Sequence, residues 1–592
     1  MNRLKIKKTS VAGIGTMGSG IVIALVISGF PVTAYDIDED ALLRGKKNVE
    51  AFLSQSVKRG KISEKEKEVY LSNIDWTSSI ENLAESDAVV EAIYEDLKVK
   101  RDFFAKLDSI AKPDCIFITN TSTLSVTSIA SCCRRHEKVV GIHFCNPAPL
   151  MKLVEIAFTP LTSDEVKEEI FSFVKKLGKE YVITNDAPGH IVNQLLMPFW
   201  ADAVRIFEEK TATAKDIDAL CRLGFGLPKG PLEMIDIAGL PIMVTVLESL
   251  YNEYGEKRYK PPHLLRKYAQ SGFVGRKCGK GFYVYEKKGE FGTTDEKKKD
   301  EKVSTIKTSF GKIGVVGFGT MGRGIAQTAS ESGYEVAVVE LNDSQRKDGL
   351  SFIERMVKGR AEKGKIDKKE IGNIIARINL SDDFSVLSGC DIVIEAVFEK
   401  AELKKKVFTN IEEVVEDDTI IASNTSCIPL TELASALKKP ERACGIHYFN
   451  PAPLMKVVEI VKAMQSTDAV IDKACKFIQS EGKIPVVSKD VPGFISNRLL
   501  IPYLFQAFRK FDQGLASIED IDKAMVLGAG FPMGPFKVSD LIGLDVLLQI
   551  GEFMYAETGD PDFAPPSLLR RMIAAGYIGR KRGKGFYNYN NC

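Results

Sequence analysis

Two stretches of the chain are nearly the same, GIHFCNPAPLMKLVEI at 141–156 and GIHYFNPAPLMKVVEI at 445–460. Each carries a histidine, His143 or His447, and twelve residues later a glutamate, Glu155 or Glu459, inside the strand-like runs KLVEI and KVVEI. An imidazole titrates near neutral pH, which suits it to take a proton from a hydroxyl group or return it. A carboxylate inside an apolar strand is costly unless it is paired. Pairing with the histidine would fix the ring tautomer and stabilise the imidazolium that forms. The chain has five histidines, and when the two stretches are set in register only these two face each other. His136 meets Pro440, His190 meets Phe494 and His263 meets Ser567.

A second pair of features predicts where the partner of that proton goes. VAGIGTMGSG places Gly13, Gly15 and Gly18 in GxGxxG spacing, and Gly317, Gly319 and Gly322 repeat it. A strand-like run precedes each loop, a helix can follow, and an acid, Asp36 or Glu340, ends the next strand. In that setting the glycines allow a tight turn and close approach to a pyrophosphate, and the acid binds ribose hydroxyls. Further acidic and polar residues follow, Asp38, Glu39 and Asp40 in one case and Asn342 and Asp343 in the other, and would repel a ribose 2′-phosphate. The cofactor expected in both places is NAD, so the chemistry expected of the histidine is to hold the hydroxyl proton while hydride leaves the same carbon.

The elements that must position these residues are duplicated with them. His143 and His447, Gly13 and Gly317, and Gly230 and Gly534 are all 304 residues apart, and GFVGRKCGKGFYVY at 272–285 answers GYIGRKRGKGFYNY at 576–589. A gapless repeat of about 280 residues is a duplicated domain pair, not a solenoid unit. Within each copy the short apolar runs VTAYD, AVVEAI, IFITNTS and VVGIHF alternate with helix-patterned stretches, which predicts βαβ units and a parallel sheet. After DAPGHIVNQLL and DVPGFISNRLL helical spacing dominates. The expected fold is therefore α/β: two tandem copies of a Rossmann-type NAD-binding domain, each followed by a smaller all-helical domain. The boundaries expected are 1–186 and 187–285 for the first copy, a charged linker at 286–309, and 310–490 and 491–592 for the second.

Composition excludes several alternatives. A net charge of +2 gives no overall field to recruit nucleic acid or an acidic membrane. No apolar run approaches the ~20 residues of a spanning helix, and the apolar N-terminal stretch has a mid-chain counterpart at 311–340, so it reads as a fold element and not as a signal peptide. Eleven scattered cysteines with no CxxC pair suggest a reducing, cytoplasmic setting and no metal site.

The combination GxGTMGxG, NTS, GIHFxNPAPLMKxVE and PGxIxNxLL resembles the L-3-hydroxyacyl-CoA dehydrogenase family, each copy matching one whole subunit. The resemblance implies that His143 and His447 are the catalytic bases, that Glu155 and Glu459 are their carboxylate partners, and that Ser122 and Ser426 hydrogen-bond the substrate 3-oxygen. Asn193 and Asn497 would help hold the substrate in the same site. It places Thr16, Met17, Thr320 and Met321 with the loop glycines, and Glu95 and Glu399 near the nicotinamide. For the acyl-CoA substrate it implies Arg59 and Lys363 near the phosphate-bearing end, and Asn146 and Asn450 beside the histidine motif. Family subunits pair through their helical domains, so the copies are expected to form an intramolecular pseudo-dimer, with a homodimer of chains also open. The first copy departs from the pattern at Cys145, His190 and Gln194, where the second has the more usual Phe449, Phe494 and Arg498. A differently shaped first pocket follows, and two alternatives stay open: a first copy that binds NAD without turnover, or a related NAD-dependent β-hydroxyacid dehydrogenase.

Overall fold

The computed structural model of the chain describes residues 5–285, 308 and 310–589; the linker expected at 286–309 lies outside these, residue 308 apart. The first copy contains eight strands: β1 (Thr9–Ala12), β2 (Val32–Tyr35), β3 (Ile74–Thr77), β4 (Ala88–Glu91), β5 (Ile116–Thr119), β6 (Val139–Phe144), β7 (Leu153–Phe158) and β8 (Glu180–Thr184). The second contains β9 (Lys312–Val316), β10 (Glu335–Val339), β11 (Ile378–Ser381), β12 (Ile392–Glu395), β13 (Ile420–Ser423), β14 (Ala443–Tyr448), β15 (Val457–Lys462) and β16 (Ile484–Lys489). The strand order is β3-β2-β1-β4-β5-β6-β7-β8, and the second sheet repeats it as β11-β10-β9-β12-β13-β14-β15-β16. Order reverses between β1 and β4, and between β9 and β12, which makes the crevice where doubly wound sheets hold their ligands. The glycine loops leave β1 and β9 at that crevice.

The sheets are parallel with one exception in each. β6 and β7 run antiparallel, as do β14 and β15. Residues 145–152 and 449–456 are too few for a crossover connection, so the chain turns straight back. The resulting register sets His143 opposite Glu155 and His447 opposite Glu459. A spacing of twelve residues thus becomes direct cross-strand neighbourhood.

β1, β4 and β5 are buried along their whole length, as strands covered on both faces must be. Each sheet accordingly has apolar clusters on both faces, with Val11, Val90 and Ile118 on one side of the first sheet and Val89, Phe104 and Phe117 on the other. Local capping fixes where the covering helices start. Ser163 accepts from the Val166 N–H ahead of helix Asp164–Lys176, whose first turn carries Asp164 and Glu165 and whose last turn carries Lys175 and Lys176.

The helical domains of the two copies share one continuous core. Phe199 meets Tyr503 at 5.7 Å and Phe531 at 5.5 Å between ring centroids, and Tyr503 stacks on Phe531 at 4.8 Å. Helix Ile518–Ala529 of the second copy lies against β7 and β8 of the first, and helix Ala214–Leu223 of the first lies against β15 and β16 of the second. Backbone bonds close both edges, Asn185 N–H to Leu515 C=O at 2.8 Å and Lys489 N–H to Thr211 C=O at 2.9 Å. The two copies are therefore joined as an intramolecular pseudo-dimer. Among the described residues no single helix is long and apolar enough to cross a membrane; the bent pair Pro231–Ala238 and Leu240–Tyr254 is apolar, but Leu232, Ile235, Leu247 and Leu250 place it in the shared core.

Candidate active site

His143 lies at the end of β6, with Nδ1 2.8 Å from Glu155 Oε2 and Nε2 3.2 Å from Ser122 Oγ. His447 repeats this at the end of β14, 2.7 Å from Glu459 Oε2 and 3.1 Å from Ser426 Oγ. Glu155 and Glu459 have no solvent exposure. Their second oxygens accept from backbone N–H groups where the long helix of the helical domain begins: Ile191 and Val192 donate to Glu155 at 2.8 and 2.9 Å, and Ile495 and Ser496 donate to Glu459 at 3.0 Å each. Burial pushes the Glu155 carboxyl up, but the hydrogen bonds from His143 and from the Val192 N–H draw it down, and the group is held below its ordinary value. An ionised carboxylate can only accept, so Nδ1 carries the proton and Nε2 presents its lone pair to Ser122 and the open cleft.

Ser122 is held by Glu95. Glu95 Oε1 accepts from Thr121 Oγ1 at 2.6 Å, Ser122 N–H at 2.7 Å and Thr123 N–H at 2.9 Å, and Lys100 Nζ lies 3.1 Å from Oε2. Burial raises this carboxyl, while the Lys100 charge and the turn donors bring it below its usual range. Glu399 does the same for the turn at Ser426, with Lys404 Nζ 3.2 Å away. The two acids placed near the nicotinamide by resemblance are thus the braces of the serine turn. Asn497 Nδ2 donates to Ser426 C=O at 3.1 Å, whereas in the first copy Gly189 N–H takes Ser122 C=O at 3.0 Å and Asn193 is bonded through its backbone to Gly189.

The loops after β1 and β9 have the shape a dinucleotide needs. A Cβ at Gly18 would fall 1.7 Å from Gly13 C=O, so loop and helix touch there, and Gly13 itself has φ +87°. A Cβ at Gly15 or Gly319 would meet no protein atom within 4 Å, which leaves these crests and the N-termini of helices Thr16–Ile27 and Thr320–Glu331 open to a pyrophosphate. Asp36 Oδ2 accepts from Ile14 N–H at 2.7 Å and Glu340 Oε2 from Phe318 N–H at 2.9 Å, each tying the acid to its own loop. Thr16 and Thr320 open the helices, and Met17 and Met321 pack partly against the sheet core. The residues present fit the adenosine diphosphate half of NAD.

Asn146 and Asn450 are exposed at the start of the turns that follow the histidine strands. Arg59 and Lys363 are exposed caps at the far ends of helices Glu39–Lys58 and Asp343–Glu362, and neither bonds to the histidine, serine or glutamate groups.

Several members of the site carry no spacing signal in the sequence. Lys179 holds the 146–151 turn through Ala148 C=O and, at 2.6 Å, Met151 C=O; Lys483 holds the other turn through Ala452 and Met455 C=O at 2.7 Å each. Asn120 and Asn424 accept from the N–H after each histidine, Phe144 and Tyr448, at 2.9 Å. Ser496 adds an O–H bond of 2.7 Å to Glu459 Oε2 that Val192 does not supply to Glu155. His190 stacks on His143 with ring centroids 5.2 Å apart; its Nε2–H donates to Thr121 C=O at 3.1 Å and its Nδ1 is buried without a partner. Burial, then the neighbouring His143, pushes the His190 imidazole below its ordinary value. Phe449 and Phe494 flank His447 instead, at 5.2 and 5.9 Å.

Comparison with known proteins agrees with this arrangement. The model of the 3-hydroxyacyl-CoA dehydrogenase NAD binding domain matches residues 8–187 and 312–491, and that of the family's C-terminal domain matches 189–285 and 493–589. The chain is similar to a 3-hydroxybutyryl-CoA dehydrogenase of Mycobacterium tuberculosis, 40% identical over 280 residues that make up 47% of this chain and 98% of the relative. It is similar over nearly its whole length to the 3-hydroxyadipyl-CoA dehydrogenase of Escherichia coli K12, 29% identical over 577 residues, 97% of this chain and 99% of that one. The crystal structure of a 3-hydroxybutyryl-CoA dehydrogenase from Escherichia coli K12 superposes with a TM-score of 0.68 at 27% identity, covering 97% of this chain and all of the other. With two complete sets of family domains carrying two like-built sites, this chain belongs to the NAD-dependent 3-hydroxyacyl-CoA dehydrogenases, as a tandem of two copies.

Proposed function

We propose that both halves turn over (S)-3-hydroxyacyl-CoA, reversibly, with His143 and His447 as the proton-transferring groups. The observation that carries this is the repetition of one geometry: Ser–His–Glu distances of 3.2 and 2.8 Å in the first site and 3.1 and 2.7 Å in the second. In the oxidative direction the substrate C3 hydroxyl gives its proton to histidine Nε2, and the buried glutamate stabilises the imidazolium through Nδ1–H. Ser122 or Ser426 donates to the substrate 3-oxygen, and Asn193 or Asn497 orients the acyl portion. NAD, when bound, supplies the nicotinamide carbon that accepts the C3 hydride. Gly13, Gly15, Thr16, Met17, Gly18 and Asp36 would hold it in the first half, and Gly317, Gly319, Thr320, Met321, Gly322 and Glu340 in the second. Glu95 and Glu399 act by fixing the serine turn beside the nicotinamide. Arg59, Lys363, Asn146 and Asn450 face the CoA and acyl parts of the substrate.

The domain boundaries at 186/187 and 490/491 belong to the same reading, as do a cytoplasmic location and a homodimer of chains. The differing neighbours, Cys145 and His190 against Phe449 and Phe494, give the two sites different acyl preferences. The relatives' names suggest 3-hydroxybutyryl-CoA and 3-hydroxyadipyl-CoA as the first two substrates to compare.

NADH formation by His143→Ala, His447→Ala and the double variant, across a panel of acyl chains, tests this. Each single variant is expected to lose a different part of the panel, by about 10²–10⁴-fold where its site dominates, and the double variant to be inactive. Loss of the whole panel on His447→Ala alone would make the first copy a scaffold, and an active double variant would remove the histidines from the role.

A further inference from the structure

We propose that the surface joining the two halves is heterotypic by charge, so that a first-copy half recognises a second-copy half and not another of its own kind. Three ion pairs cross it with the acid on the first copy and the base on the second: Glu209 with Arg498 at 2.7 Å, Glu256 with Lys510 at 2.8 Å and Glu180 with Lys523 at 2.6 Å. In a pseudo-symmetric interface each contact occurs twice, so the reciprocal positions, 304 residues away, show whether the charge pattern is symmetric. It is not. Arg498 and Glu209 are answered by Gln194 and Gln513, Lys510 and Glu256 by Ile206 and Asp560, and Lys523 and Glu180 by Ala219 and Ile484. A fourth pair, Lys257 with Asp560 at 3.0 Å, runs the other way; its lysine is 71% exposed, and Glu209 and Glu180 are also about half open to solvent, so the enclosed Lys510–Glu256 contact is the strongest of the four.

The Lys510 contact shows how selective the surface is. Its side chain is 3% exposed, its Nζ lies 4.7 Å from the Tyr254 ring centroid and 5.7 Å from that of Tyr259, both of the first copy, and Glu256 closes the cage. A cation desolvated in this way needs all of these partners. The reciprocal cage would be made of Thr558 and Phe563 around Ile206, an apolar contact. Arg498 also reaches Thr211 Oγ1 of the first copy at 3.3 Å, where the reciprocal residue is Leu515.

Pairing two first-copy halves would set Glu209 against Gln194, Glu256 against Ile206 and Glu180 against Ala219, with the exposed Lys257 the one base left to Glu256. Pairing two second-copy halves would set Arg498 against Gln513 and Lys523 against Ile484, with Asp560 the one acid left to Lys510. The first-copy pairing thus loses all three attractions, and the second-copy pairing loses two of them together with the Tyr254 and Tyr259 rings around Lys510. The ionic layer supplies discrimination of this kind.

The test uses the whole chain, folded, with a protease site placed between residues 286 and 307 so that the halves can be cut apart after folding. Wild type, the base-reversed chain Arg498→Glu/Lys510→Glu/Lys523→Glu, the acid-reversed chain Glu180→Lys/Glu209→Lys/Glu256→Lys and the six-fold swap are compared by thermal unfolding before cutting and by native mass after it. Each three-fold reversal is expected to lower the unfolding temperature by about 5 °C or more and to let the cut halves separate. The six-fold swap is expected to regain the part of both losses that the 180/523 and 209/498 pairs carry, though not the part that the aromatic cage of Lys510 carries, and to stay paired one to one, and ~0.5 M salt to narrow the differences. Losses that simply add in the six-fold swap, or cut halves that stay paired equally well in every variant, would overturn the proposal.

Discussion

At the scale of single residues, the site depends on a carboxylate that the fold has dried completely. Glu155 reaches only His143 Nδ1 and two backbone N–H groups, so its charge has no solvent to share it and acts on the imidazole. In a His447→Ala background, Glu155→Gln is expected to lower kcat by about 10²–10³-fold, since the amide no longer supplies the charge that favours the imidazolium. The same substitution has a second signature in stability. Because the folded carboxyl sits below its unfolded value, ionised Glu155 contributes stability above the ordinary carboxylate range, and that contribution is lost as pH falls through the folded value. Acid unfolding followed by circular dichroism should therefore be shallower in Glu155→Gln than in wild type. The second site differs at one residue of this set, Ser496, whose hydroxyl shares the Glu459 oxygen that holds His447.

At the scale of elements, the two copies differ beneath the histidine strands. Tyr448 on β14 donates to Glu481 Oε2 at 2.7 Å, and Glu481 sits partly buried near Lys483, the lysine that holds the 450–455 turn. Burial raises the Glu481 carboxyl to about 7, against smaller lowering by the Tyr448 bond and the Lys483 charge; Glu331 and Arg360 are the other charged groups beside that lysine. A carboxyl raised in the folded state favours folding while it is protonated, so its contribution is full below the unfolded carboxylate range and has gone once pH passes about 7. The first copy has Phe144 and Leu177 in these places. Tyr448→Phe/Glu481→Leu, which copies that apolar pair, should remove a loss of about 2 kcal/mol between about pH 5 and about pH 8, read from thermal unfolding of the whole chain. The sequence reading correctly anticipated alternating strands and helices, because apolar runs of four to six residues between helical stretches have few other solutions. It expected a parallel sheet, and the antiparallel β6–β7 and β14–β15 pairs came from connections whose shortness matters only once the neighbouring strands are known.

At the scale of the whole molecule, each half forms part of the wall around the other's site. Gly528, near the end of helix Ile518–Ala529 in the second copy, lies so close to the first that a Cβ there would be 2.8 Å from both Leu153 and Val192 and 3.6 Å from Cys145 Sγ. Val192 donates to Glu155 and Cys145 follows His143 by two residues, so a wedge at Gly528 presses on the first site from the opposite half. Gly528→Val is expected to reduce kcat/KM at least ~10-fold in a His447→Ala background and far less in a His143→Ala background. Equal losses in both would mean that the helix supports only general stability.

The sequence by itself determined the duplication, the NAD loops and the pairing of His143 with Glu155 and His447 with Glu459. These follow from residue type, fixed spacing and the cost of an unpaired carboxylate inside a strand. Ser122 and Ser426 were reached through family motifs, Asn120 and Asn424 stood in the same NTS motif without a role, and Lys179, Lys483 and Ser496 were not reached at all. Lysines and asparagines are common, and what sets these apart is that burial leaves each one a single set of partners. The roles of Glu95 and Glu399 as braces of the serine turns, the stacking of His190 on His143 and the one-way ion pairs between the halves were likewise decided only by tertiary structure. Each depends on which distant segments meet and on how much water remains between them, and no local pattern encodes either.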